Sequence, residues 1–151
     1  MSLLTSEHMA YIGTNEGSVT VEISRRDIQK YSAATEQIQQ KYLDGDEAPP
    51  MFIFNLFSEI PQLSALRHDG LGRGKQKGPS LPLKRVMAGG TNINQSLPIR
   101  PGDTLTGTRT LVNLFEKQGN SGPLIFSVRE LVITNQNGET VLTESQTSIA
   151  R

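Results

Sequence analysis

Residues 104–149 most narrow the folds open to this chain. The run TLTGTRTLVNLF at 104–115 is rich in β-branched residues, 124–134 alternates apolar with polar side chains, and 139–149 reads as another long strand. Asn135-Gln136-Asn137-Gly138 joins the last two, and Asn-Gly tolerates the positive φ that a tight hairpin needs. Residues 117–122, with Gly119 and Gly122, connect the first pair. Before them Pro98-Ile99-Arg100-Pro101-Gly102-Asp103 predicts a turn, Pro101 presetting one dihedral and Gly102 supplying the other. Together with strand-like character from residue 83 to 94, these segments predict an antiparallel meander.

The first half adds one strand and one helix. In 17–24, Val19, Val21 and Ile23 alternate with polar residues, which predicts a half-buried strand. Ser24 is placed to cap a helix, with Asp27 three residues on; Ile28, Tyr31, Ser32, Ala34 and Ile38 follow helical spacing for about three turns. Ala48-Pro49-Pro50 stops any helix, since proline removes a donor and restricts the residue before it. In 51–66 periodicity does not separate helix from strand, and Met51, Phe52, Phe54, Phe57 and Ile60 are candidate core. Thr5 or Ser6 predicts one capped helical turn in a lead-in over 1–16, leaving 17–151 as one α+β domain with its helix laid across the sheet. No internal repeat and no dividing linker is visible.

Bulk properties exclude several function classes. At 151 residues the chain can bury a sizeable core, and a formal net charge of zero argues against a broadly basic nucleic-acid face. The absence of cysteine removes disulfide and thiol chemistry, and the two histidines, His8 and His68, lack metal-ligand spacing. No apolar run suits a membrane span and the opening residues lack signal-peptide character, so a cytoplasmic protein without metal, membrane or nucleic acid is expected.

Chemistry-bearing patterns are sparse. The glycine-rich loop at 69–79 is not a phosphate-binding P-loop, because Gln76 stands where a magnesium-binding Ser or Thr belongs. It reads either as a solvated loop or, with Arg67, Arg73, Lys75, Lys77, Lys84 and Arg85 grouped around Asp69, as a surface for coenzyme phosphates or an acidic carrier. His68 has no evident orienting carboxylate, and Asp44, Asp46 and Glu47 lack the pattern of a calcium loop.

The order Val21-x-Ile23-Ser24-x-x-Asp27-Ile28-x-x-Tyr31-Ser32-x-Ala34, then Tyr42, then Ala48-Pro49-Pro50-x-Phe52 resembles the N-terminal hotdog domain of MaoC-like acyl dehydratases. Arg85-Val86-x-x-Gly89-Gly90, the turn at 98–103 and the Gly138-Glu139 hairpin continue the likeness. The resemblance implies a hotdog fold, an antiparallel sheet wrapped around a helix and paired with a second hotdog. It implies reversible hydration of a 2-enoyl thioester, carried on coenzyme A or acyl carrier protein, with no further cofactor. Active members carry an aspartate after the first helix and a histidine five residues later, so that both reach one water and the substrate's α and β carbons.

Anchored at Tyr31 and Ala34, that motif falls on Gln37 and Tyr42, with Gln39-Gln40 where an Asn-Pro is usual. Glutamine takes no proton, and a tyrosine with a reference pKa of about 10 is a poor base at neutral pH. Shifting by one residue offers Glu36 or Ile38 and still no histidine. The resemblance therefore implies no catalytic residue here, and a homodimer or a heterodimer with a catalytic MaoC-type hotdog, expected on a separate polypeptide. Phe52, Phe54, Gly89, Gly90, Arg85 and Lys75 are the expected substrate-binding residues. Met51, Leu56 and Phe57 are further acyl-tunnel candidates, although core packing is the better account of most of these apolar side chains. Two other readings stay open: a non-catalytic acyl-CoA-binding or regulatory protein, and a thioesterase using Glu59 or Asp69.

Overall fold

The computed structural model describes residues 2–54, 56–72 and 77–151. Five antiparallel strands form one sheet: β1 (Asn15–Glu22), β2 (Val86–Gln95), β3 (Thr104–Gly119), β4 (Gly122–Thr134) and β5 (Thr140–Ala150), in the order β1-β3-β4-β5-β2. β3, β4 and β5 run as the predicted meander, whereas the segment at 83–94 expected to begin it forms β2, which pairs with β5 and not with β3; β1 and β2 are the edges. The turn chemistry behaves as the sequence dictates. Gly138 sits at φ 77° and donates to the Asn135 carbonyl at 3.0 Å, while Asn135 Oδ1 accepts from the amides of Asn137 and Glu139. Gly102 sits at φ 90°, and Asp103 Oδ2 accepts from the Arg100 amide at 2.8 Å.

Paired residues in an antiparallel sheet share a face, so the register shows how the core is laid out. Val19, Gly107, Ile133, Leu142 and Gln95 form one cross-strand row. Over this row lies helix α2 (Arg25–Ala34), capped by Ser24, whose hydroxyl accepts from the Asp27 amide at 3.1 Å. Ile28 and Ser32 point inward from α2, and Tyr31 meets Phe52 edge to face at 5.6 Å. Phe57 rests on Gly107 so closely that a Cβ there would come within 2.6 Å of its ring. Farther along the same face, Leu114, Ile125 and Ala150 form a second cluster, covered by Leu3, Leu4, Ile12, Leu81 and Leu83. Helix α1 (Ser6–Met9) is the predicted capped turn, with Thr5 and His8 closing a reciprocal capping box.

Several sequence expectations need correction. Ile38 is not on the helix: α2 ends at Ala34, Glu36 turns the chain at φ 53°, and Ile38 is 92% exposed. Ile60 is not core but 97% exposed; Pro61 follows it, and the described residues here form two short 3-10 turns, Pro50–Ile53 and Leu63–Ala65. Met51 and Phe54 also face outward, whereas Ile53 and Phe57 are buried with Phe52. A 3-10 turn repeats every three residues, so Phe52 and Ile53 enter the core while Met51 and Phe54 leave it. The strand expected at 17–24 begins at Asn15 and ends at Glu22, and Ser24 is spent on the cap.

Candidate functional site

Gln37 and Tyr42, the positions onto which the resemblance maps the catalytic motif, lie in and after the segment between α2 and the next helix, α3 (Gln40–Leu43). The chain leaves α2 through Thr35, whose hydroxyl donates back to the Tyr31 carbonyl at 2.8 Å. The left-handed Glu36 then lets the Gln37 amide reach the Ser32 carbonyl at 2.9 Å. The Gln37 side chain donates to Thr35 Oγ1 at 3.1 Å. Tyr42 is half-buried, with the Lys41 ammonium 4.9 Å from its ring centre and the same ammonium paired to Glu47 at 2.8 Å. The stretch between them, Ile38-Gln39-Gln40-Lys41, contains neither carboxylate nor imidazole. Gln37 and Tyr42 thus sit at either end of one short connection, each engaged with its own neighbours.

The expected binding residues do not converge on one place. Phe52 lies in the cluster beneath α2, while Phe54, two residues on, is 60% exposed. Gly89 and Gly90 form a bulge in β2 opposite Thr147 and Ser148. A Cβ on Gly89 would come within 3.0 Å of Ile149 and Thr147, and Gly90 adopts φ 138° on the open side of the edge strand. Arg85 lines a cleft at the start of β2, eight residues before Ile93, which packs on the α2 cluster. At about 3.3 Å per strand residue that separation is roughly 25 Å. Lys75, along with Arg73, lies outside the described residues. Of the other cations in the proposed basic group, Arg67 pairs with Asp69 at 2.7 Å and Lys84 donates to the Leu81 carbonyl at 2.8 Å.

A polar band crosses the helix-covered face between its two apolar clusters, and sequence reasoning missed it. Arg109, Leu131, Glu144 and Ile93 form one cross-strand row. Glu144 is buried, and this loss of hydration pushes its carboxyl above the ordinary range, with the Arg109 charge opposing the shift. Nearby, Arg129 Nε donates to Glu16 Oε2 at 2.9 Å, and the Glu16 side chain is only 3% exposed. Its other oxygen, Oε1, makes no hydrogen bond among the described residues. The signal was the alternation itself: Ile125, Ser127, Arg129, Leu131 and Ile133 share a face, so Arg129 had to point inward. Among the described residues no group of His, Cys, Asp and Glu could hold a metal ion. No helix there is long and apolar enough to cross a membrane.

Comparison with known proteins gives this arrangement a context. Residues 10–144 match the family model of the FAS1-like dehydratase domain region. No curated protein matches the chain. Among solved structures, the C-terminally truncated HadBC (3R-hydroxyacyl-ACP dehydratase) complex of Mycobacterium tuberculosis superposes with a TM-score of 0.68 at 16% identity, over 93% of this chain and 97% of that one. The ChsH1-ChsH2 complex of the same organism gives 0.64 at 13% identity, over 90% and 83%. The MaoC-like dehydratase of Rhodospirillum rubrum gives 0.61 at 18% identity, over 92% and 91%. At such identities the likeness is one of fold, and it identifies the five-stranded sheet with its overlying helix as a hotdog. With the family model spanning most of the chain, the protein belongs to the family of the FAS1-like dehydratase domain region, and it has the hotdog fold of the MaoC-like dehydratase it resembles in structure.

Proposed function

We propose that this chain is a hotdog subunit of a 2-enoyl-thioester hydratase, or in reverse a 3-hydroxyacyl-thioester dehydratase, that lacks its own Asp/His pair. The observation that carries the reading is the connection from Gln37 to Tyr42: no side chain in it can take a proton from water at neutral pH. A catalytic hotdog domain supplies the aspartate and histidine, and this one shapes the acyl side of the pocket. Phe52, half of an aromatic pair with Tyr31 beneath α2, is the residue best placed to bound an acyl chain. The β2 edge, with its glycine bulge at Gly89 and Gly90, pairs with no strand on its outer side among the described residues, which leaves it for a second hotdog. The two mycobacterial structures of similar fold are both complexes, which favours such a pairing. The substrate is an acyl thioester of coenzyme A or of a carrier protein, and no additional cofactor takes part.

The test is hydration of crotonyl-CoA by the chain alone and by the chain mixed with a catalytic MaoC-type hotdog. Activity is expected only in the mixture. Activity of the isolated chain that survives both Gln37→Ala and Tyr42→Ala would overturn the assignment of the site. Release of free coenzyme A would point instead to a thioesterase. An inactive mixture that still binds the thioester would mark the chain as a binding module.

A further inference from the structure

A cleft lies away from the helix-covered face. Along β4, side chains alternate, so Ile125 belongs to the covered second cluster while Leu124 and Phe126 face the other way. Register extends that outer row across four strands as Phe115, Phe126, Ile149 and Met87, with Phe115 and Phe126 stacked at 5.0 Å. The turn joining β3 to β4 and the segment entering β2 rise beside this row. Between them they enclose a half-open space of about 750 Å³, within the ~300–1,000 Å³ usual for small-molecule sites.

Its chemistry has two parts. Leu83, Met87, Leu124 and Ile149 make an apolar wall. Lys84, Arg85 and Arg151 supply side-chain cations, and no Asp or Glu side chain lines the space. Among the described residues none of these three cations pairs with a carboxylate. An apolar wall alone would suit many occupants. Cations without an ion-pair partner at its edge select one whose apolar body ends in a negative group, because an uncharged chain would leave them without a counter-charge.

We infer that this cleft binds an amphiphile, an apolar chain with an anionic head, at a site separate from the thioester pocket beneath α2. The chain lies along Leu124, Ile149 and Met87, and the head meets Arg85 and Lys84. The head group is a carboxylate in a free fatty acid or a phosphate in an acyl-coenzyme A, and both present the same chemistry to the guanidinium.

Binding is measured on the intact chain with palmitate and with palmitoyl-CoA by calorimetry, and with a fluorescent polyene fatty acid by displacement. Neither saturated ligand can be hydrated, so the result is independent of crotonyl-CoA turnover and of the proposed reaction. Saturable binding is expected, weakened at least tenfold by Lys84→Gln with Arg85→Gln, weakened similarly when hexadecanol replaces palmitate, and abolished by Leu124→Arg. Lys30→Gln, on the exposed side of α2, should bind as the parent does, and circular dichroism confirms the fold of each variant. Preference for palmitate over palmitoyl-CoA identifies the head as carboxylate, and the reverse identifies phosphate. Equal binding of hexadecanol, no binding of either anion, or affinity unmoved by the double substitution overturns the inference. So does a change in the chain's mass in solution on Leu124→Arg, which would make the cleft a protein contact instead.

Discussion

Glu144 is the residue whose environment departs most from what its type prefers. Its carboxyl is buried on the core face and accepts no hydrogen bond among the described residues, and burial raises its pKa. The folded chain then keeps a proton that the unfolded chain releases above about pH 4.5. The contribution to stability is whole below the ordinary carboxyl value and is lost as pH rises through the raised one. Glu144→Gln should therefore melt higher than the parent at pH 8, by about 2–4 °C per kcal/mol recovered, with the difference closing near pH 4. Thermal melts at the two pH values check this. A variant that melts lower at both would show that attraction to Arg109 outweighs the lost hydration. Glu139 shifts the opposite way, because Asn135 and Asn137 donate to its carboxylate, so its stabilising share disappears as pH falls.

Among the elements, β3 has most to accommodate. It pairs with both β1 and β4, carries a bulge between Leu111 and Asn113, and leaves Gly107 bare beneath Phe57. Gly107 sits in a regular strand, so here glycine serves a close approach and not a turn. Gly107→Ala forces the ring away and should cost about 1–3 kcal/mol, measurable by urea denaturation. Adding Phe57→Leu to that variant should restore part of the loss, since a smaller side chain leaves room for the new methyl group. If Gly107→Ala alone were neutral, the segment carrying Phe57 would be free to move off the sheet.

For the whole molecule, the Arg129–Glu16 pair joins the start of β1 to the middle of β4 across 113 positions of sequence, and Arg129 Nη2 also donates to the Lys77 carbonyl at 3.4 Å. The charges lie between the two apolar clusters, where one cannot be removed without stranding the other. Arg129→Ala should therefore destabilise the protein by about 3–5 kcal/mol, the range for a broken buried pair. Glu16→Gln combined with Arg129→Met should cost markedly less, because neither charge is then left without its partner. Denaturant titration of both variants tests this. Equal losses would mean that packing of the arginine stem, and not charge, holds that part of the molecule.

The local sequence by itself determined the hairpin at Asn135-Gly138, the turn at Pro101-Gly102, the Ser24 cap, the alternating strands and the lack of carboxylate and imidazole at 37–42. Each depends on short-range backbone preference or on residue identity, which a linear string displays directly. The fate of 51–66 was not legible, since a 3-10 turn sorts neighbouring apolar residues by direction and not by hydrophobicity, burying Phe52 and exposing Phe54. Nor was the scatter of the expected site residues, with Phe52 beneath α2 and Arg85 at the far end of β2. Only the tertiary structure could set Glu144 against Arg109, close Glu16 on Arg129 and open the cleft beside Leu124. Such contacts depend on strand register, in which residues far apart in sequence come to share a face.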